Sequence, residues 1–328
     1  MKMLIAQGAG KTALVDVEEV SIKEATDVKI RLKYCGVCMS EHYAWKTAEA
    51  GRSFGHEPVG VVTEVGSAVT RVRVGDRVSG LFGGKSEYVI ADEKKVFVLP
   101  DSISDEDGIL EPLACLISAV SKVRIPVIGA RVAVVGCGYM GCGAISLLKK
   151  RGAYVVAVDI RPESVENALK YGADEAYLVE DLPERCFYIP GSGLNFDGTP
   201  GGFPLVMEWG ETNESLDLAI RMTAQCGQLA IGAYHTGGKR LVDVQMLNVK
   251  AIDCLSTHPR EVELSIAGCK SAIEMYEKNT WNFRHVPTKV YPASMFDLAQ
   301  AELETKYGSY LKSVIDFTRE DFEPYVVC

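Results

Sequence analysis

Val134-Val135-Gly136-Cys137-Gly138-Tyr139-Met140-Gly141 is the stretch on which the fold class turns. It closes a β-branched run, Arg131 to Val135, and leads into a segment of helical character, Gly143 to Lys150. A second apolar run, Tyr154 to Val158, then delivers an acid, Asp159, about 20 residues beyond the glycines. Strand, G-x-G-x-x-G, helix, strand and acid together form a dinucleotide-binding fingerprint, and each part has a task. Gly136 permits a tight turn, Gly138 lets the backbone approach a pyrophosphate, and Gly141 lets helix and strand pack closely. The helix start at Tyr139 and Met140 presents free N–H groups and a positive dipole end to phosphates. Asp159 suits the adenosine ribose hydroxyls and repels a 2′-phosphate, so NAD is expected rather than NADP. Arg161 is the one nearby side chain that would favour the phosphate.

The same alternation continues downstream. Ser164 to Tyr171 and Ser215 to Thr223 read as helices, and Leu205 to Met207, Gln228 to Ile231 and Ala251 to Leu255 as strands. Alternating strand and helix predicts an α/β fold with a Rossmann, doubly wound parallel sheet. The Gly/Pro-rich segment Arg185 to Phe203 fits no such element and is expected to be a long surface loop.

Upstream the character differs. Lys29-Ile30-Arg31-Leu32-Lys33 alternates charged and apolar residues, as a half-buried strand does. Val59 to Val65, Val72 to Val78 and Ser86 to Val98 read as further strands, so the first hundred residues are expected to be mostly β. Asp101 to Glu106 offers capping residues and an acidic first turn, and Ile109 to Val123 is apolar enough for a buried helix. We expect one domain over 1–120, completed by 284–328, and a second over 121–283. Gly8-Ala9-Gly10-Lys11-Thr12 imitates the end of a phosphate-binding loop, but Ile5 stands where that motif needs its first glycine.

Composition narrows the class. At 328 residues the chain is long for a single core. A formal charge of -9 and the absence of a basic block exclude a nucleic-acid partner. No stretch is long and apolar enough to span a membrane, and Met1 to Val20 lacks the apolar core of a signal peptide, so the cytoplasm is expected. Ten cysteines without framework spacing suggest reduced thiols and a metal site rather than disulfides.

The chemistry lies in three places. Cys35-Gly36-Val37-Cys38-Met39-Ser40-Glu41-His42-Tyr43 comes first, Gly55-His56-Glu57-Pro58 second, and Glu111-Pro112-Leu113-Ala114-Cys115 third. Thiolate, imidazole and carboxylate are the ligands of a catalytic zinc that keeps one position open. Cys35 and Cys38 form a C-x-x-C, readable alone as a redox pair or half a zinc knuckle; no second such pair exists, and Cys35 is expected to be a buried thiol. Cys115 lies one turn after Glu111, as an alternative ligand or a small buried hydrophobe. Histidines 42, 235, 258 and 285 are expected at the surface or internally satisfied. Trp45, Phe54 and Trp209 are expected in core packing, with pocket lining as the other possibility.

These motifs, with Gly75-Asp76-Arg77-Val78 among them and the fingerprint downstream, resemble the zinc-containing medium-chain dehydrogenase/reductase superfamily over nearly the whole chain, to about Phe317. An acid at Glu111 makes the chain most similar to the sorbitol and threonine dehydrogenase branch. The resemblance implies a GroES-like, mostly-β catalytic domain beside the Rossmann domain. It implies Cys38 and His56 as zinc ligands, Glu57 either ligating or lying behind the metal, and Glu111 as the acidic fourth position. Ser40 matches the hydroxyl that takes a proton from the alcohol, and Glu41 the acid that orients the ligand histidine. Backbone at Gly210, Gly232 and Tyr234 matches the segments that hold the nicotinamide.

Three departures stand out. Val78 runs through Ser79-Gly80-Leu81-Phe82-Gly83-Gly84 straight to Lys85, so the four-cysteine lobe of many members is missing and one zinc at most is expected. The loop between Cys38 and His56 is short. The usual proton-relay histidine position holds Tyr43, with His42 one residue early. The implied reaction passes a hydride between a secondary alcohol, such as a polyol, cyclitol or sugar derivative, and NAD, in a homodimer or homotetramer joined through an edge strand at Ala251 to Leu255. The alternatives are a zinc-free NAD(P)H reductase of the same fold and a non-enzymatic NAD-binding scaffold or sensor.

Overall fold

The computed structural model describes residues 1–187, 201–305 and 310–328. The expected Gly/Pro-rich loop falls largely outside the described residues, at 188–200. The chain divides into two compact units, Met1–Cys115 with Glu261–Thr280 and Arg284–Cys328, and Leu116–Arg260 with Trp281–Phe283.

The first unit begins with a hairpin of β1 (Lys2–Gly8) and β2 (Lys11–Asp16). Then come β3 (Asp27–Val37), α1 (Met39–Lys46), β4 (Pro58–Val65), β5 (Arg77–Gly80), β6 (Tyr88–Asp92) and β7 (Val96–Val98). α2 (Leu110–Lys122) carries the boundary between the units. In the second unit lie β8 (Arg131–Val135), α3 (Tyr139–Lys150), β9 (Tyr154–Asp159), α4 (Pro162–Lys170) and β10 (Glu175–Leu178). They are followed by β11 (Phe203–Glu208), α5 (Asn213–Met222), β12 (Thr223–Ile231), α6 (Val244–Val249) and β13 (Asp253–Ser256). The chain returns to the first unit with α7 (Val262–Glu277), β14 (Thr288–Pro292), α8 (Phe296–Thr305), β15 (Lys312–Asp316) and β16 (Tyr325–Val327).

β3 is the spine of the first unit. The main sheet runs β16-β14-β15-β3-β4-β5-β7, and β6 pairs with β3 as well. Alternation along β3 buries Ile30 and Leu32 in a core with Leu4, Phe54, Val62, Phe296 and Ile315. Lys29 breaks the pattern: it is buried, and ion pairs with Glu19 (2.7 Å) and Glu64 (2.6 Å) make that tolerable.

Two local expectations are corrected. Val72 to Val78 is not one strand: a turn at Gly75 (φ 94°), held by Arg73 N–H donating to Asp76 at 2.9 Å, delays the strand to Arg77. Asp101 to Glu106 does not start a helix either. Asp105 is drawn into ion pairs with Lys33 (2.6 Å) and Arg77 (2.9 Å), the segment stays in turns, and the helix begins at Leu110. The return to the first unit comes at Glu261 rather than 284, because α7 packs there: a Cβ on Gly268 would lie 2.8 Å from Ala114 Cα.

The second unit holds six parallel strands in the order β10-β9-β8-β11-β12-β13. Counted within the unit this is 3-2-1-4-5-6, the doubly wound arrangement. Its central strands are covered on both faces, hence the unbroken apolar runs Val132–Val135 and Val155–Val158, all buried. α3 starts at Tyr139, earlier than the helical pattern alone suggests, directly from the glycine turn. No helix of the described residues is long and apolar enough to cross a membrane.

Candidate active site

The first unit gathers the metal-ligating residue types. Cys38 sits at the N-cap of α1, and His56 and Glu57 follow the turn at Gly55 (φ 109°) into β4. One donor atom from each of Cys38, His56 and Glu57 lies within 4.8 Å of the other two. Ser40 Oγ donates to Cys38 Sγ at 3.2 Å. A side chain at Gly36 is impossible here, since its Cβ would stand 1.7 Å from Glu57 Oε2.

The two acids of the cluster differ in their partners. Glu57 is ion-paired with Lys312 at 2.5 Å. Burial works against its charge, but Lys312 and His56 outweigh that and hold its pKa below the usual carboxylate value. Glu111 falls outside the donor triangle and forms no ion pair among the described residues; its carboxylate accepts from Cys115 Sγ at 3.3 Å. Burial first, then the Glu57 charge, push the Glu111 carboxyl up. A carboxylate lacking a counter-cation beside a thiol and an imidazole fits a divalent metal of the zinc type. Burial and Glu111 push the Cys115 thiol well up, which disfavours the thiolate a metal would need.

Behind His56 lies a polar chain. His56 Nδ1 is 3.1 Å from Glu41 Oε1, which leaves Nε2 for a metal. Glu41 also accepts from Gly55 N–H (2.6 Å) and from Lys85 Nζ (2.8 Å). Burial raises the Glu41 pKa, but Lys85 and His56 more than offset it and hold it at about 2. Sequence reasoning passed over Lys85, because a lysine after two glycines carries the signature of a surface turn.

Tyr43 lies on α1. It is 48% exposed, and its hydroxyl makes no hydrogen bond among the described residues. His42 is buried, with Nδ1 3.3 Å from Gln300 Oε1 and Nε2 3.1 Å from Glu304 Oε1. A cavity of about 610 Å³ opens beside Ser40, with Glu41, Arg52, Phe54, Gly55 and Tyr88 in its wall.

The second unit assembles the dinucleotide residues at the C-terminal ends of its parallel strands. Gly136 has φ 91°, and a Cβ there would meet Gly210 N and Trp209 C at 2.8 Å. A Cβ on Gly141 would stand 1.9 Å from Gly136 O. A Cβ on Gly138 would meet nothing within 4 Å, so that side of the approach to the start of α3 at Tyr139 and Met140 is open, and no side chain caps that helix. Asp159 accepts from Cys137 N–H (2.7 Å) and Arg161 N–H (3.0 Å), tying the glycine turn to the end of β9. The Arg161 guanidinium leans on the same carboxylate at 3.4 Å.

Glu208, fully buried, is the organiser that sequence reasoning missed. It accepts from Gly210 N–H (2.7 Å), Glu211 N–H (3.0 Å) and Ser215 Oγ (2.7 Å), and faces His235 Nε2 at 2.9 Å. It thereby joins the exits of β11 and β12. Gly232 is glycine because the Trp209 ring would lie 2.6 Å from its Cβ. Tyr234 is half exposed and accepts from Arg260 at 2.8 Å.

Two family models match the chain. Residues 24–101 match the alcohol dehydrogenase GroES-like domain, and residues 140–267 the zinc-binding dehydrogenase domain. The chain is 34% identical over 229 residues to (R,R)-butanediol dehydrogenase of Bacillus subtilis (strain 168), covering 56% of this chain and 66% of that protein. It is 28% identical to D-arabitol-phosphate dehydrogenase of Enterococcus avium, covering 97% of each. Among solved structures, zinc dependent alcohol dehydrogenase 2 from Streptococcus pneumonia, in its apo form, superposes with a TM-score of 0.80 at 20% identity, covering 98% of this chain and 99% of that one.

Proposed function

The chain belongs to the medium-chain dehydrogenase/reductase family, and from that premise we propose that it moves a hydride between the secondary hydroxyl of a polyol, cyclitol or sugar derivative and NAD, with one zinc ion at the Cys38–His56 site. The observation that carries this reading is the donor set: thiol, imidazole and carboxylate within 4.8 Å of one another, beside a hydroxyl. Bound there, zinc would supply a Lewis acid for the substrate oxygen and NAD the hydride acceptor.

The chain's own residues do the rest. Cys38 and His56 hold the metal. Glu57 is the carboxylate that stands with them in the donor set, ion-paired with Lys312, and Glu111 is the second acid offered to the shell. Ser40 is placed to take the proton of a substrate hydroxyl. The bare face at Gly138 admits a pyrophosphate to the start of α3. Asp159 Oδ2, which accepts only from Cys137 N–H, keeps a lone pair for a ribose hydroxyl, which supports NAD over NADP. The loops carrying Gly210, Gly232 and Tyr234 are stiffened by Glu208 for the nicotinamide end. The polyol and butanediol relatives support a secondary alcohol as substrate.

Metal analysis combined with NAD reduction over polyols, cyclitols and sugar derivatives tests the reading. Cys38→Ser is expected to lose zinc and turnover while keeping NAD affinity; turnover retained in that variant overturns the assignment. Zinc near zero with NADPH-driven enone reduction intact would establish a zinc-free reductase. NAD binding without turnover on any substrate would establish a scaffold or sensor.

We also propose a homo-oligomer paired through β13. That strand is the edge of the parallel sheet and is largely exposed, and Leu241, Val244 and Val249 just upstream leave apolar surface uncovered.

A further inference from the structure

We propose that Lys85 is a positioning residue of the metal centre, its buried ammonium locking together the three chain segments that bear or orient Cys38 and His56. This inference rests on the zinc reading above.

Lys85 is 0% exposed. An ammonium is that deep in a protein only when its donors are used. Nζ donates to Gly36 O at 3.0 Å and to Glu41 Oε2 at 2.8 Å, and it stands 5.3 Å above the Phe296 ring. Gly36 lies on β3, two residues before Cys38, and Glu41 lies on the first turn of α1. The aliphatic stem lies against the third segment: a Cβ on Gly55, the residue before His56, would stand 2.8 Å from Lys85 Cγ. The peptide planes on either side are stitched as well, with Gly84 N–H donating to Gly55 O at 3.1 Å.

A lysine ammonium has no lone pair, so it cannot be a ligand; it acts through its partners. Glu41 spends its other oxygen on His56 Nδ1 and Gly55 N–H. Removal of Lys85 would leave that carboxylate buried without its ammonium partner and cut one of the ties between the His56 loop and β3, the Gly36 N–H bond to Glu57 O remaining. The local sequence explains how a lysine reaches this place. The chain lacks a cysteine lobe after Val78, so Gly83-Gly84 leads directly into residue 85. Gly84 has φ 127°, and a Cβ there would stand 2.6 Å from Val89 Cγ1, so only glycine allows the turn that sends the stem inward.

The test is zinc competition against a chromophoric chelator, with NAD binding and cooperative unfolding measured on the same samples. Lys85→Met keeps the length and removes the charge. It is expected to hold zinc 10- to 100-fold more weakly, a range typical when a group behind a ligand is lost, with NAD affinity unchanged. Lys85→Arg is expected to recover only part of the affinity, since a planar fork fits two divergent acceptors poorly. Should Lys85→Met not fold, the pair Glu41→Gln with Lys85→Met removes both buried charges at constant volume; it is expected to fold and still bind zinc at least 10-fold more weakly. In Co(II)-substituted protein the visible bands of either variant are expected to shift. Zinc affinity within about twofold of wild type, with unshifted bands, overturns the proposal. Wild-type protein that takes up no zinc overturns the metal reading itself, and this inference with it.

Discussion

At the scale of single residues, the candidate site is governed by what glycine omits and by which charge has a partner. Gly36 is the sharpest case. It lies one residue before the end of β3, in extended backbone that any residue could adopt, and it is glycine because Glu57 Oε2 occupies the place of its Cβ. Gly36→Ala is therefore expected to displace the Glu57–Lys312 pair, to cost about 1–3 kcal/mol in urea unfolding, and to weaken zinc binding. Alanine that leaves both quantities unchanged would show that Glu57 has room to spare. Cys38, Ser40, His56 and Glu111 were legible in the sequence because residue type and order mark them. Lys85 and Glu208 were not. A side chain's burial and its partner depend on residues far away in the chain, and nothing next to Lys85 or Glu208 distinguishes it from a solvated charge.

At the scale of elements, the turn from β8 into α3 and the edge at β10 respond to different stresses. Gly141→Ala places a methyl 1.9 Å from Gly136 O, a backbone atom that cannot swing aside. The start of α3 must then shift, and NAD affinity is expected to fall at least about tenfold by calorimetry, as a misplaced helix N-terminus loses its phosphate contacts. At the edge, Glu175 on β10 accepts from Arg131, Tyr154, Tyr177 and Arg185, binding β8, β9 and the following turn together. Burial raises its pKa, but the tyrosine hydroxyls and Arg131 lower it further, from 4.5 to about 2. The folded-state pKa is the lower one, so the stabilisation is present above pH 4.5 and is lost as pH falls toward 2. Glu175→Gln is expected to lower Tm near neutrality, with the difference from wild type shrinking through that window. A difference independent of pH would refute the charge-based account. Element type was readable wherever periodicity was strong, as in β3, β8 and β9. It failed at Asp101 to Glu106, where long-range ion pairs of Asp105 overrode a good capping sequence.

At the scale of the whole molecule, the chemistry is divided between the units. The metal donors lie within Met1–Cys115, with Lys312 returning from the C-terminal part, and the dinucleotide residues lie within Leu116–Arg260. The proposed assembly would fall to the second unit. If β13 pairs two copies, Cys254→Lys, a charge on the exposed edge, is expected to convert the oligomer to monomer in light scattering while leaving the far-UV spectrum unchanged. An unchanged mass would exclude β13 as the interface.

The sequence by itself determined the doubly wound parallel sheet, the glycines of its cofactor turn, the missing second metal lobe and the residues Cys38 and His56. Those features follow from short-range sterics and periodicity, or from residue types whose order is preserved along the chain. Only the tertiary structure shows which acid already has a counter-ion. Glu57 meets Lys312 from the far end of the chain, and Glu111 forms no ion pair among the described residues. It also shows that Tyr43 is exposed and that Lys85 is bonded to the carboxylate behind His56. The reason is physical: a charge's role is set by its dielectric surroundings and its partners, and both exist only once distant segments have packed.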